Sequence, residues 1–115
     1  MKTTEKNHNM NTLDQIQKIG QAGTRVCLWN PRLAQLGFPI GTPINIRVTP
    51  RRIVITPVAE ARRKVAKVTN HGKVLPVIDL KQTKQIRFDG WGESARVVVN
   101  HGIITVTPFN NGGEA

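Results

Sequence analysis

Residues 41–57 read GTPINIRVTPRRIVITP, and residues 92–108 read GESARVVVNHGIITVTP. At an offset of 51 residues the two stretches align without a gap and share Gly41/Gly92, Val48/Val99, Ile53/Ile104, Thr56/Thr107 and Pro57/Pro108. The common pattern says more than the identities: a glycine turn, an apolar-rich run, a polar break, a second apolar run, then Thr-Pro. That is how a β-hairpin is written. In the first copy Ile44, Ile46 and Val48 alternate with Asn45 and Arg47, which turns the aliphatics to a buried face and Arg47 to solvent. Residues 49–52 turn the chain and residues 53–56 return it. In the second copy residues 95–99 and 103–107 meet through Asn100-His101-Gly102, where Asn and Gly supply the backbone freedom of a tight turn. A lone hairpin leaves its apolar face in water, so two similar hairpins suggest that each half covers the other.

Around these hairpins the chain divides as follows. Residues 1–11, rich in Lys, Thr and Asn, bury too little apolar surface to offset their ordering entropy and are expected to be mobile, as are residues 110–115. Residues 12–20 are expected to form a short helix: Thr12 and Gln15 have capping-box spacing, Leu13, Ile16 and Ile19 fall on one helical face, and Gly20 supplies the stop. In the first unit, residues 21–57, RVCLW at residues 25–29 reads as a strand. Asn30 and Pro31 then open a helical turn over residues 32–36, closed by Gly37, and residues 38–43 form a loop. Residues 58–70 form a basic connector whose helix formers and Glu60/Lys64 pair predict partial helicity. The second unit, residues 71–109, opens with a strand at residues 73–78. A turn, a strand-like stretch at residues 86–88 and a glycine loop around Trp91 lead into its hairpin.

At 115 residues there is room for one ordinary domain or two small halves with one core. The five aromatics, Trp29, Trp91, Phe38, Phe88 and Phe109, leave that core to branched aliphatics, which favour strands. Seventeen Lys and Arg against seven acids give a net charge of +10, an excess that repels itself unless an anion is bound, and nucleic acid is the first candidate. The apolar runs fall far short of the ~20 residues of a spanning helix. Residues 1–10 lack the apolar stretch of a secretory signal, and Cys27 has no partner in the chain for a disulfide, so a cytoplasmic, nucleoid-associated protein is expected.

Over residues 26–57 the order of strand, polar turn, L-x-x-L-G-F, glycine loop and hairpin resembles the swapped-hairpin barrel family of AbrB, MazE and SymE-like proteins. GKVLPVIDLKQ, at residues 72–82, is similar to that family's opening strand and loop. The resemblance covers some seventy residues of degenerate motif. It implies a mainly β fold: a small pseudo-symmetric barrel of two βαββ-like repeats in one chain, binding DNA through basic residues near the first loop and helical turn. Arg25 and Lys73 match the family's basic position at the strand start. Lys81 meets the second basic site, while the first unit carries Leu33 and Ala34 where arginines would stand, with Arg32 just before them.

The residues themselves point to the same chemistry, because guanidinium and ammonium groups neutralise phosphates and Arg reads guanine bidentately. Arg47 lies on the first hairpin, Arg51 and Arg52 at its tip, and Arg62, Arg63, Lys64 and Lys67 form the densest cluster. A face kept basic for solubility alone would mix its signs more evenly. His8, His71, His101 and Cys27 have no metal-ligand spacing, and Ser94 has no nearby base, so no metal, cofactor, small-molecule ligand or catalytic activity is expected. Trp29 and Trp91 could stack on unpaired bases, though packing is the commoner role.

The reading that follows is a double-stranded DNA-binding transcriptional repressor of prokaryotic or plasmid type, with a possible homodimer through Leu13, Ile16 and Ile19. The first competitor is an antitoxin or SymE-like toxin. It lacks both the long arm that would wrap a toxin and the base, acid or metal that a nuclease needs. The second competitor is an RNA-binding module, which calls for exposed aromatics on a sheet face.

Overall fold

The computed structural model describes residues 12–109, so the expected mobile ends lie outside the described residues. In chain order the elements are β1 (Thr12–Lys18), a helical turn α1 (Gly20–Gly23), β2 (Arg25–Trp29), a 3-10 turn (Pro31–Leu33), β3 (Ile44–Thr49), β4 (Arg52–Pro57), β5 (Ala66–Asn70), β6 (Lys73–Lys81), β7 (Ser94–Asn100) and β8 (Ile103–Phe109). They make two antiparallel sheets, one of five strands in the order β1-β7-β8-β4-β3 and one of three in the order β2-β6-β5. The fold is mainly β.

The repeat in the sequence is a two-fold in the structure. In the β3–β4 hairpin Ile46 faces Ile55, and in the β7–β8 hairpin their counterparts 51 residues on, Val97 and Val106, face each other in the same register. The hairpins join through their second strands. Val54 of β4 lies opposite Thr105 of β8, its own equivalent, and is flanked by the reciprocal pairs Ile53/Val106 and Ile55/Ile104. A local dyad therefore passes between Val54 and Thr105. Alternation turns Ile53, Ile55, Ile104 and Val106 inward on either side of it, and all four are fully buried. The hairpin tips cross to the opposite half: the Trp91 indole Nε1 donates to the Pro50 carbonyl at 3.0 Å, while Gly37 sits against Gly102.

One core serves both units. Val26, Leu28, Phe38 and Ile44 of the first cluster with Ile78, Leu80, Phe88 and Trp91 of the second, beside the hairpin aliphatics. Phe88 and Trp91 meet edge to face with ring centroids 5.2 Å apart.

The two-residue turns show why the hairpins close. His101 and Gly102 have φ of 55° and 74°, and His71 and Gly72 have φ of 52° and 78°, the left-handed pair that matches the twist of the flanking strands. The second of these turns joins β5 to β6, so Asn70-His71-Gly72 is a hairpin signal of the same composition as Asn100-His101-Gly102.

Three expectations are corrected. Residues 12–20 form a strand rather than a helix for most of their length: β1 pairs along all of Thr12–Lys18 with β7, which would otherwise be an open edge. Its period of two breaks up the stripe expected at a dimer interface, leaving Ile16 46% exposed on the outer face while Leu13 turns toward the core and Ile19 is buried. The connector contains no helix; residues 58–65 are irregular, and β5 follows, held by β6. Residues 86–88 are loop, because side chains take over the bonds a ladder would make: Ile86 N–H donates to Thr83 Oγ1 at 3.0 Å and Phe88 N–H to Gln82 Oε1 at 3.1 Å. Among the described residues the two antiparallel sheets form no closed barrel. Their ladders end at β1 and β3 on one sheet and at β2 and β5 on the other.

Two seams result. Between β1 and β2 the bridge is made by side chains: Gln17 Nε2 donates to the Cys27 carbonyl, Asn30 Nδ2 to Gln15 Oε1, and Arg32 Nη2 to the Thr12 carbonyl. Between β3 and the connector it is made by backbone. Ile44 N–H donates to the Arg63 carbonyl at 2.9 Å, Val65 N–H to Thr42 at 2.9 Å and Gly41 N–H to Val65 at 2.8 Å. Two of these bonds flank Pro43 and Lys64, which face each other as an isolated bridge.

Candidate nucleic-acid interface

The second seam gathers most of the cations singled out in the sequence. Arg47 projects from the outward face of β3, and Arg51 and Arg52 occupy the tip of its hairpin, all exposed. Across the seam the connector presents exposed Arg62, Arg63 and Lys64, and Lys67 follows on β5. Between the two lips runs a groove of about 580 Å³ lined by Ile44, Ile46 and Val48 of β3, by Arg62 and Arg63, and by Gln85 and Ile86. A second hollow of about 340 Å³ continues toward the tip past Thr49, Pro50, Arg87 and Asp89. Ile46 and Val48 face inward but are only half-buried, because β3 is an edge strand and the connector crosses it near its start.

Among the described residues acids engage three other arginines, one of them in the second hollow. Arg25 forms a bidentate pair with Asp79, Nε to Oδ1 and Nη2 to Oδ2 both at 2.8 Å, with the side chains 33% and 29% exposed. Hydrogen bonding to that carboxylate, and then its charge, raises the Arg25 pKa above the ordinary arginine value. Cys27, one row along, has its thiol pushed up, first by burial and then by the Asp79 charge. Arg96 is paired with Asp14 across the β1–β7 ladder and Arg87 with Asp89. Among the described residues no ion pair engages Arg47, Arg51, Arg52, Arg62, Lys64 or Lys67. Arg63 instead donates to the Asp79 carbonyl.

The sequence-predicted residues thus fall into three groups. Arg47, Arg51, Arg52, Arg62, Arg63, Lys64 and Lys67 border one seam. Arg25 and Arg32 are held by other parts of the fold, Arg25 by Asp79, whose carbonyl also accepts from Arg63, and Arg32 through its bond to Thr12. Lys73 and Lys81 lie exposed at the two ends of β6. Sequence reasoning passed over Gln85 and Arg87, which line the groove and its continuation from a loop whose path depends on the packing of Ile86 and Phe88. Among the described residues there is no group of three or more His, Cys, Asp or Glu side chains that could hold a metal ion.

The chain matches no protein-family model, and neither the curated proteins nor the solved structures contain a match to it.

Proposed function

We propose that this protein is a sequence-specific double-stranded DNA-binding regulator, a small repressor of prokaryotic or plasmid type, which lays the seam between β3 and the connector along a duplex. The observation that carries this reading is where the acids pair: carboxylates hold Arg25, Arg87 and Arg96, while among the described residues no ion pair engages Arg47, Arg51 and Arg52 of the β3–β4 hairpin, Arg62 and Lys64 of the connector, or Lys67 of β5. The dimensions suit a duplex. The six residues of β3 extend about 20 Å, over which B-DNA carries roughly a dozen phosphates. Arg51 and Arg52, exposed at the hairpin turn, are the candidates for base readout in the major groove, and the connector cations for backbone contacts.

The likeness to the swapped-hairpin family adds to this reading. Each hairpin tip rests on the other half, Pro50 on Trp91 and Gly102 beside Gly37, and this supports reading the two units as exchanged. Within that likeness Lys73 and Lys81 would be accessory contacts, and a homodimer would place two seams on repeated half-sites. The test is a footprint of the purified protein on the DNA upstream of its own gene. Protection of a repeated element supports the proposal, and uniform cleavage at low salt overturns it.

A further inference from the structure

The three-stranded sheet has an outward face that the core does not use. Val26 and Leu28 of β2 and Ile78 and Leu80 of β6 belong to the core, so alternation places Arg25, Cys27 and Trp29 on the opposite face with Lys73, Leu75, Val77, Asp79 and Lys81. The β5–β6 register brings Ala66 beside Val77, Val68 beside Leu75 and Asn70 beside Lys73. Trp29, Val77 and Ala66 therefore form one row across all three strands, with Val68 and Leu75 in the next.

The two tryptophans behave oppositely. Trp91 is 1% exposed, with its indole N–H bonded to a carbonyl, whereas Trp29 is 44% exposed at the end of the edge strand β2, opposite the middle of β6. Charge brackets it at both ends. Lys73 stands at one end of β6 and Lys81, beside Arg25, at the other, and Asp79 between them is neutralised by Arg25. Trp29 lies opposite Val77, midway between the two lysines, which are about 26 Å apart along the strand at ~3.3 Å per residue.

We infer that this face binds single-stranded nucleic acid, with an unpaired base stacked on Trp29 and the flanking phosphates held by Lys73 and Lys81. An aromatic platform between cations is what an unpaired strand requires, since each base offers a π-face and each link a negative charge. The length matches the smallest single-strand sites, about four nucleotides. A second copy of the chain is a poorer occupant: an isologous pairing of this face would set Lys73 against Lys81 and Arg25 of the other copy, or each against itself. Trp29 has no part in the DNA seam, and Arg51 and Arg52 have none in this face, so the two readings can fail separately.

The test uses the full chain and a twelve-nucleotide oligothymidine at low salt, followed by tryptophan fluorescence and by anisotropy of labelled strand. Binding should quench Trp29. Trp29→Leu should abolish the quenching and weaken binding about tenfold or more, Trp29→Phe should recover part of the affinity, and Lys73→Gln with Lys81→Gln should weaken it several-fold. Arg51→Gln with Arg52→Gln, which lowers duplex affinity under the proposed function, should leave oligothymidine binding within about twofold. Absence of quenching, unchanged affinity in Trp29→Leu with its fold intact by circular dichroism, or equal binding of polyglutamate would overturn the inference. So would concentration-dependent dimerisation that blue-shifts Trp29 emission without nucleic acid, which would assign the face to a second copy.

Discussion

Replacing Arg51 and Arg52 together by Gln isolates the electrostatic part of the proposed duplex binding. Six cations of the seam, Arg47, Arg51, Arg52, Arg62, Lys64 and Lys67, are in no ion pair among the described residues, while Arg63 is partly committed to the Asp79 carbonyl. If each neutralises one phosphate, counterion release at ~0.9 per contact gives a log-log salt slope of roughly −5. Affinity should then fall about a thousandfold between 50 and 200 mM salt. Both residues sit exposed at a turn and make no side-chain bond, so the double variant should fold normally and bind with a slope near −3.6, at ~0.9 per contact removed. The control is Arg25→Gln with Arg96→Gln, whose guanidiniums are occupied by Asp79 and Asp14 and whose loss should leave the slope unchanged. The assay is fluorescence anisotropy of a labelled duplex titrated at several salt concentrations. A flat salt response, or equal slope changes in both double variants, would refute the argument that ion pairing selects which cations are available.

Further outcomes follow from the fold. Ile53→Ala and Ile104→Ala remove equivalent, fully buried side chains on either side of the dyad, and each should cost about 2–5 kcal/mol by urea unfolding. A negligible cost at one of them would break the equivalence of the halves. Gly102→Ala meets no atom within 4 Å, yet its φ of 74° strains any side chain, so a loss of about 1–2 kcal/mol is expected from backbone alone. Asp14 is held below the ordinary carboxylate range, first by its hydrogen bond to Arg96. Because the folded pKa is depressed, the pair's contribution is complete above the unfolded value near 3.8 and is lost as pH falls through the lower folded value. Thermal midpoints of Asp14→Asn and the unmodified chain should therefore converge in strong acid and differ slightly at neutral pH, the difference being small because both groups are half-exposed.

The hairpins were legible because their signals are local. Alternation with period two and a turn of Asn, His and Gly need no partner to be recognised, and β2, β3, β4, β7 and β8 lie where those signals put them. The β5–β6 hairpin carried the same Asn-His-Gly turn and could have been read in the same way, but the helix formers of the connector drew the reading elsewhere. Leu13, Ile16 and Ile19 fit a helix as well as a strand over so short a span. The choice was made by the open edge of β7, more than seventy residues away.

The sequence by itself determined a basic, two-fold repeated β protein, because composition, offset and alternation are properties of neighbouring residues and survive without coordinates. Tertiary structure alone decided which positive charges are available and which tryptophan meets solvent. Arg25 is cancelled by Asp79, 54 residues away, and Arg96 by Asp14, 82 away. Such pairings arise when strands are brought side by side by the core, and Coulomb attraction between groups about 3 Å apart depends on that proximity rather than on their separation along the chain. Trp29 and Trp91 look alike in the chain; one lies on the outward face of a sheet and the other beneath a hairpin tip, and only the packing of the two halves separates them.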